Sequence, residues 1–201
     1  MTQRNLSRAA IYEERNNKSL PAWIIMSLIV GTIFGVTISG KQTSKPETTA
    51  LLPDNIQLCF TPAEKCTPVI LQEIALAKNT IYVQAYGFSS PAITDALIDA
   101  HKRGVEVNIL LDKSNLKDSW SKIRELIDTG IEVTIDKLTG IAHNKVMIID
   151  SQKTITGSFN FTRSAETRNA ENVIVIYDKT IANRYIQNWI SRKSNASCLL
   201  Y

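Results

Sequence analysis

The 201-residue sequence is poor in the side chains that usually bind metal ions and cofactors. It has two histidines and three cysteines, with no histidine cluster, no Cys-x-x-Cys, no His-Glu-x-x-His and no Asp-x-Asp. Such spacings are typical of zinc centres and thiol redox sites, and phosphodiesterases that use two metal ions need several convergent carboxylates. We therefore expect no metal site and no cofactor. Any catalytic chemistry has to come from ordinary side chains.

A strong excess of charge of one sign is also missing from most of the chain. The formal net charge is +4, but residues 51–201 hold 17 basic and 16 acidic residues, a net charge of +1. This part is therefore not globally basic. Its charge is uneven, because residues 151–201 hold seven basic and three acidic residues. A phosphate-containing partner would thus meet a local basic surface.

One long segment, residues 19–40, has no charged residue at all. As a helix it would measure about 33 Å, close to the roughly 30 Å of bilayer hydrocarbon, and we interpret it as a transmembrane helix. Basic residues precede it at Arg4, Arg8, Arg15 and Lys18, and follow it at Lys41 and Lys45. This bias predicts a cytoplasmic N-terminus and a domain outside the cytoplasm. A cleaved signal peptide is the alternative.

The chain divides into a cytoplasmic tail at residues 1–18, the uncharged segment at 19–40, a linker at 41–53 and a domain at 54–201. Helices are predicted from Thr67, from Ser90 to Gly104, and over residues 118–129 and 179–193. Strands are predicted over residues 80–86, 105–111, 131–135, 145–149, 154–158 and 172–177. This alternation predicts an α/β fold, a mixed β-sheet sandwiched between helices, preceded by one N-terminal transmembrane helix.

A lysine begins the first of two neighbouring predicted strands, and a histidine two residues before it would share its face. His143 and Lys145 are two residues apart, and side chains alternate along a strand. Asp150 has the opposite parity to Lys145. We therefore expect Asp150 to lie outside the pocket, where it holds the turn or the backbone.

On the returning strand, Gly157 permits a close backbone approach, and Ser158 and Asn160 follow with neutral hydrogen-bond donors. A phosphodiester resists attack because its anionic oxygens repel the nucleophile, and a cation with neutral donors would offset that charge. Histidine can be a nucleophile or an acid and base near neutral pH. Glu171 could hydrogen-bond the second ring nitrogen. The predicted catalytic residues are His143, Lys145, Ser158, Asn160 and Glu171.

The order His143-x-Lys145, four residues, Asp150, six residues, Gly157-Ser158-x-Asn160 resembles the active-site motif of the phospholipase D superfamily. Glu171 stands where that family carries a further acidic residue. The resemblance covers nearly all of residues 56–195 and implies the helix-covered sheet of that family. The chain has one copy of the motif, as do the short bacterial nucleases of the family, which pair across a two-fold axis. A homodimer with a shared site follows from the resemblance.

The resemblance implies a metal-independent endonuclease that cuts DNA or RNA through a phosphohistidine intermediate. A lipid phosphodiesterase is the alternative, because the same motif cleaves phospholipid head groups and an anchor would hold the site near lipid. A non-catalytic nucleic-acid-binding or membrane scaffold protein is weakened by the presence of His143, Lys145 and Asn160. The expected location is a bacterial inner membrane with the catalytic domain in the periplasm, or the periplasm itself if the segment is cleaved.

Other residues are assigned from their positions near the motif. Gln84, Tyr86 and Ser89, at the end of an early strand, are expected to help form the substrate cleft. Arg163 follows the motif as a basic residue suited to phosphate.

The remaining cysteines and the second histidine receive structural roles. Cys59 and Cys66 are plausible disulfide partners in an exported domain, whereas two reduced thiols are expected in a cytosolic one. His101 precedes Lys102-Arg103-Gly104 at the end of a predicted helix, where a cation interacts favourably with the helix dipole. This assignment leaves one catalytic histidine per chain. Cys198 is given no role.

Overall fold

The computed structural model describes residues 53–137 and 139–198. In this part the chain forms one eight-stranded sheet with helices against both faces. The predicted tail and transmembrane helix, with nearly all of the linker, lie outside the described residues. No helix between residues 53 and 198, as far as these are described, is both long and apolar enough to cross a membrane.

The strands in chain order are β1 (Ile56–Thr61), β2 (Thr80–Ala85), β3 (Glu106–Asp112), β4 (Glu132–Asp136), β5 (Lys145–Ile149), β6 (Lys153–Gly157), β7 (Glu171–Tyr177) and β8 (Ser197–Cys198). Their order across the sheet is β1, β7, β6, β5, β2, β3, β4, β8. Strands β2, β3 and β4 are parallel to one another, and the other neighbouring pairs are antiparallel. The sheet is mixed, as predicted.

The helices are α1 (Thr67–Ala75), α2 (Pro91–Lys102), α3 (Ile123–Ile127), α4 (Arg163–Thr167) and α5 (Lys179–Lys193), with a 3₁₀ helix at Lys113–Leu116. Helices α1 and α2 cover one face with the larger core, which includes Met147 and Ile149 of β5. Helix α5 covers the other face, where Ala182 and Ile186 pack against Val146 and Ile148. Strand β5 is therefore buried on both faces, which explains its continuous apolar sequence.

The structure corrects the prediction over residues 118–129, of which only Ile123–Ile127 forms a helix. Asp118 accepts a side-chain hydrogen bond from Trp120 N at 2.9 Å, and its carbonyl accepts from Ser121 N at 3.0 Å. Asp118 thus closes a local turn, which competes with a first helical turn. Strand β1, helix α4 and the two-residue strand β8 are not predicted from the sequence.

The beginning of the domain is fixed by a disulfide and by contacts to α4. Cys59 of β1 and Cys66, the N-cap residue of α1, are bonded to each other. Glu166 of α4 accepts hydrogen bonds from the N–H groups of Cys66 and Thr67 at 3.2 and 2.9 Å. These contacts hold the β1–α1 connection against the helix that follows the motif strands.

Candidate active site

The predicted catalytic residues meet at one edge of the sheet. Strand β2 ends at Ala85, which pairs with Lys145 at the start of β5. Strand β6 ends at Gly157, and β7 begins at Glu171. Because β5 is antiparallel to β2 and β6, and β6 is antiparallel to β7, these four positions share an edge.

His143 lies in the loop that enters β5, and its side chain is exposed. Its ring centroid is 4.6 Å from that of Tyr86, with the ring planes at 63°. The backbone is held on both sides, because Ala142 N donates to Asp112 Oδ2 at 2.7 Å and Asn144 O accepts from Tyr86 N at 2.8 Å. Among the described residues, the imidazole of His143 makes no hydrogen bond. Its nitrogens are therefore open to a substrate.

Lys145 is 7% exposed, so its ammonium group is largely withdrawn from water. Nζ donates to the carbonyl oxygen of His143 at 2.9 Å and lies 5.3 Å from the centroid of the Tyr86 ring. Burial lowers the pKa of Lys145 below its ordinary value, and the carboxylate of Glu171 partly opposes this effect. A poorly hydrated cation interacts more strongly with a phosphate oxygen than an exposed one does.

Gly157 occupies a position where glycine is required. Its φ is +143°, and a Cβ atom there would lie 2.2 Å from the backbone oxygen of Asn172. This close approach brings Ser158 against β7. The Ser158 hydroxyl donates to Glu171 Oε2 at 2.5 Å and accepts from Asn172 N at 3.1 Å, so its orientation is fixed.

Asn160 lies beside Gly87, where a Cβ atom would come within 3.4 Å of Asn160 Oδ1. In the described part of the chain, this buried oxygen has no hydrogen-bond partner. Buried polar atoms are nearly always paired, so the described residues do not fix the orientation of this amide. An amide can also turn its NH₂ group to this position and donate to a phosphate oxygen.

The structure corrects the role predicted for Glu171. Its carboxylate accepts from Ser158 Oγ at 2.5 Å and from Asn169 Nδ2 at 2.8 Å, and it makes no hydrogen bond to the second ring nitrogen of His143. The reason is its place in β7, where its N–H donates to Thr61 Oγ1 at 3.1 Å and its side chain lies beside the loop that follows β6. Glu171 acts instead on Lys145, whose pKa its charge raises.

Asp150 lies at the opposite edge of the sheet, immediately after β5. Its carboxylate accepts hydrogen bonds of 2.7 to 3.3 Å from the backbone N–H groups of Lys78, Asn79 and Thr80. Burial alone would raise the pKa of Asp150, but these backbone donors and Lys153 hold it below its ordinary value. As its parity predicts, Asp150 holds backbone outside the pocket.

Of the predicted cleft residues, Tyr86 lies in the site, whereas Gln84 is 2% exposed in the middle of the sheet. Gln84 therefore does not line an open cleft, because β2 is covered by β3 and β5 on its sides and by helices on its faces. Ser89 N donates to Phe161 O at 2.9 Å and so joins the loop after β2 to the motif. Arg163 is exposed at the start of α4.

Asp112, the last residue of β3, is a site residue that was not predicted from the sequence. Asp112 is 2% exposed, and its two carboxylate oxygens accept from Ser114 N at 2.8 Å and Ala142 N at 2.7 Å. Burial alone would raise the pKa of Asp112, but the hydrogen bonds from Ser114 and Ala142, together with the charge of Lys113, hold it below its ordinary value. Asp112 thus fixes the backbone directly before His143.

Asn115 is a second residue of this kind that was not predicted from the sequence. It is 3% exposed, donates to Tyr86 O at 2.6 Å and accepts from Phe88 N at 3.1 Å. It therefore fixes the chain around the ring that contacts His143. The available signal was the position of Asp112 and Asn115 after an apolar strand, since polar residues at the carboxyl ends of parallel strands often line sites.

His101 lies at the edge of the sheet opposite the candidate site. It is in the last turn of α2, which leads into the start of β3, whereas the candidate site lies at the end of β3. Because the sequence has two histidines, this chain supplies one of them, His143, to the site.

Within residues 53–137 and 139–198, one group of side chains has the spacing of metal ligands, namely Cys59, Glu64 and Cys66. The two sulfurs are bonded to each other, so neither is a thiolate ligand in this structure.

An open imidazole, a buried lysine and neutral donors at one edge are the parts that a phosphodiesterase needs. A family model described as "Cardiolipin synthase, PLD-like domain" matches residues 70–192. The chain belongs to this family, within the phospholipase D superfamily of phosphodiesterases. The resemblance drawn from the motif is thereby confirmed.

Relatives and solved structures agree with this assignment. The chain is 45% identical to "Phospholipase D" of Rickettsia prowazekii over 204 aligned positions, 93% of this chain and 98% of that protein. It is 31% identical to mitochondrial cardiolipin hydrolase of Xenopus tropicalis over 113 positions, 56% of this chain and 54% of that protein. The phospholipase D family member Nuc from Salmonella typhimurium superposes with a TM-score of 0.70 at 34% identity, covering 73% of this chain and 98% of Nuc.

Proposed function

We propose that the chain hydrolyses phosphodiester bonds with His143 as the nucleophile and without a metal ion. The open imidazole of His143, next to the buried ammonium group of Lys145, is the observation that supports this most. A ring nitrogen attacks phosphorus, the bond to the leaving oxygen breaks, and a phosphohistidine forms. Water then attacks the same phosphorus and releases a phosphate monoester and free histidine. Lys145, Ser158 and Asn160 stabilise the non-bridging oxygens.

The reaction also needs a group that protonates the leaving oxygen and later takes a proton from water. One chain brings a single histidine to the site. We infer that His143 of the partner subunit supplies this group, so that the catalytic unit is a homodimer with one shared site.

Phospholipid is the substrate class that we favour. The short chain and its single motif copy favour a nuclease when the sequence is taken alone. However, the relative from Rickettsia prowazekii is matched over 98% of its length and bears the name phospholipase D. A short chain therefore does not argue for nucleic acid, and the predicted membrane segment would hold the site near lipid.

An endonuclease that acts on DNA or RNA is the second candidate. The likeness to Nuc and the exposed Arg163, three residues after Asn160, favour it. A guanidinium group at this place suits a second phosphate of a polymer.

One assay separates the two candidates. The full chain, purified in detergent, is incubated in excess EDTA with phosphatidylcholine, cardiolipin, DNA or RNA, and the His143→Asn variant serves as the control. We expect release of the phospholipid head group by the wild type and none by the variant. Cleavage of nucleic acid alone would make the second candidate the function, and a strict need for added divalent metal would refute the mechanism.

We also propose that the domain lies outside the cytoplasm, anchored by residues 19–40. The Cys59–Cys66 disulfide supports this location, because disulfides persist in oxidising compartments. Protease added outside the inner membrane is expected to digest the domain, and both thiols should resist alkylation until reduced. Protection of the domain together with free thiols would contradict the proposal.

A further inference from the structure

Three large apolar side chains are exposed on the two loops beside His143. Leu116 is 51% exposed and Trp120 79% exposed in the loop after β3, and Ile141 is 56% exposed in the loop after β4. We call these three residues the apolar rim. Ile141 is two positions before His143, and Leu116 follows Asn115, which donates to the backbone of the Tyr86 that contacts His143, so this part of the rim lies on the chain that surrounds the proposed nucleophile.

These loops are held in place at several points. Lys113 Nζ donates to Thr139 O at 3.1 Å and so links the two loops to each other. Lys122 N donates to Phe88 O at 3.4 Å, which ties the end of the first loop to the chain after β2. The hydrogen bonds of Asp112 and Asn115 hold the start of the first loop and the backbone of Ala142, and Trp120 N donates to Asp118 within the first loop. The rim is therefore presented by a fixed framework, and apolar side chains held exposed in this way commonly mark an interaction surface.

We propose that the apolar rim inserts into the interfacial region of a phospholipid bilayer and so brings His143 to the head groups. This inference rests on phospholipid as the proposed substrate. Tryptophan is favoured at the membrane interface, and leucine and isoleucine gain by leaving water for the acyl chains. Aliphatic side chains offer little to stacked bases, so the rim fits lipid better than nucleic acid.

The charges around the rim suit an anionic lipid surface. Lys113, Lys117 and Lys137 are exposed on the same two loops, against one exposed acidic residue, Asp118. Basic residues near an anionic bilayer strengthen binding by roughly 1 kcal/mol each. In addition, residues 41–52 can span at most about 40 Å, so a membrane anchor at residues 19–40 would keep the domain near the bilayer.

The rim leaves the other side of the site free for a second subunit. Its loops follow β3 and β4, whereas Ser158, Asn160 and Arg163 follow β6, on the other side of β5. A bilayer at the rim and a partner chain at the β6 side are therefore compatible.

The test uses the full chain in vesicles of phosphatidylethanolamine and cardiolipin. Leu116, Trp120 and Ile141 are changed to Ser singly and together, and hydrolysis of bilayer lipid is compared with hydrolysis of a short-chain phospholipid dissolved as monomers. The ratio of bilayer to monomer hydrolysis should fall about tenfold in the triple variant. Leu76→Ser is the matched control, because Leu76 is 53% exposed at the opposite edge of the sheet, and it should leave the ratio unchanged. An unchanged ratio in the triple variant would overturn the proposal.

A second measurement needs no catalysis. In a Trp23→Phe, His143→Asn background, lipids brominated on their acyl chains should quench Trp120, and the buried Trp189 should not be quenched. Unquenched Trp120 would refute membrane insertion even if lipid is the substrate.

Two other outcomes would assign the rim to a different partner. Dissociation of dimers by the rim variants would show that a second copy covers the rim, and a fall in DNA binding would assign the rim to nucleic acid. Quenching without any lipid hydrolysis by the wild type would instead refute the proposed function alone.

Discussion

At the residue scale, the candidate site depends on the charge state of Lys145. Its ammonium group is buried, and its Nζ donates a hydrogen bond to the carbonyl oxygen of His143. The nearby carboxylate of Glu171 acts on it through charge and not through a hydrogen bond. Burial favours the neutral amine, and Glu171 favours the cation. A phosphate oxygen needs the cation. In the proposed mechanism, Glu171 therefore keeps Lys145 protonated and also orients Ser158.

Replacing Glu171 with Gln removes the negative charge that raises the pKa of Lys145. The pKa of Lys145 then falls further, and the cation is lost at a lower pH. We expect the alkaline limb of the profile of kcat/KM against pH to move to lower pH. Glu132→Gln is the control, because Glu132 begins β4 at the opposite edge and pairs with Lys193. An alkaline limb that is unchanged in Glu171→Gln would contradict the electrostatic role.

Asp112 is a positioning residue, since both of its oxygens accept backbone N–H groups. In Asp112→Asn, one of those N–H groups faces an NH₂ group, and the loop before His143 shifts. We expect kcat to fall about 10- to 100-fold with little change in KM. Asp136→Asn is the matched control. Asp136 is the last residue of β4, is 1% exposed and lies opposite Asp112 in the register of β3 and β4. Equal losses of kcat in the two variants, measured below their unfolding temperatures, would show that Asp112 has only a structural role.

The residue identities of the site follow from the sequence better than their contacts do. The spacing of the motif brings His143, Lys145, Ser158 and Asn160 to one edge, because strand alternation and one tight turn determine that placement. The partners of Glu171 and the roles of Asp112 and Asn115 depend on which strands are neighbours. Strand order is a tertiary property, and no local pattern in this chain predicts it.

At the element scale, Asp150 connects the motif strand β5 to the beginning of β2. Its carboxylate accepts hydrogen bonds from three consecutive backbone N–H groups, those of Lys78, Asn79 and Thr80. The ends of α1, β2 and β5 are thereby held together at the edge opposite the site. Asp150 is outside the pocket, and through these contacts it supports strands β2 and β5, which form the pocket at their other ends.

The same contact predicts a pH-dependent stability. Because the folded pKa of Asp150 lies below its unfolded value of about 3.9, its contribution is present above that pH and is lost as the pH falls through the folded pKa. Asp150→Asn should therefore lower the free energy of unfolding by about 1 to 3 kcal/mol at pH 7, and the difference should shrink below about pH 4. Urea unfolding at both pH values measures this. Asp99→Asn, on the exposed face of α2, is the control, and a gap that widens in acid would contradict the assignment.

Elements with strong local signals were predicted closely, and those that depend on tertiary contacts were not. Helix α5 begins and ends where predicted, since Asp178 caps it by accepting from Ile181 N at 2.8 Å. The predicted helix at residues 118–129 is shorter because Asp118 closes a turn. Strand β1 was missed because it is an edge strand, and its pairing with β7 depends on residues more than 100 positions away.

At the scale of the whole molecule, the proposed chemistry needs more acid and base groups than one chain brings to the candidate site. The nucleophile and the acid for the leaving oxygen are separate groups in a covalent mechanism. This chain has one histidine at the site, and its other histidine is in the last turn of α2. A second copy of the chain supplies the missing group if the two sites face each other across a two-fold axis.

A mixed dimer of one His143→Ala subunit and one wild-type subunit tests this arrangement. In a shared site, either the nucleophile or the acid is always missing, so we expect the mixed dimer to be nearly inactive. Independent sites would instead retain about half of the wild-type activity. Full chains with two different affinity tags are combined in detergent, and the mixed dimer is isolated by purification on both tags in turn. A mixed dimer of wild-type and His101→Gln subunits is the control and should keep full activity, because His101 lies at the opposite edge. Half of the wild-type activity in the His143→Ala mixed dimer, or full activity in a verified monomer, would rule out the shared site and require a second acid within one chain.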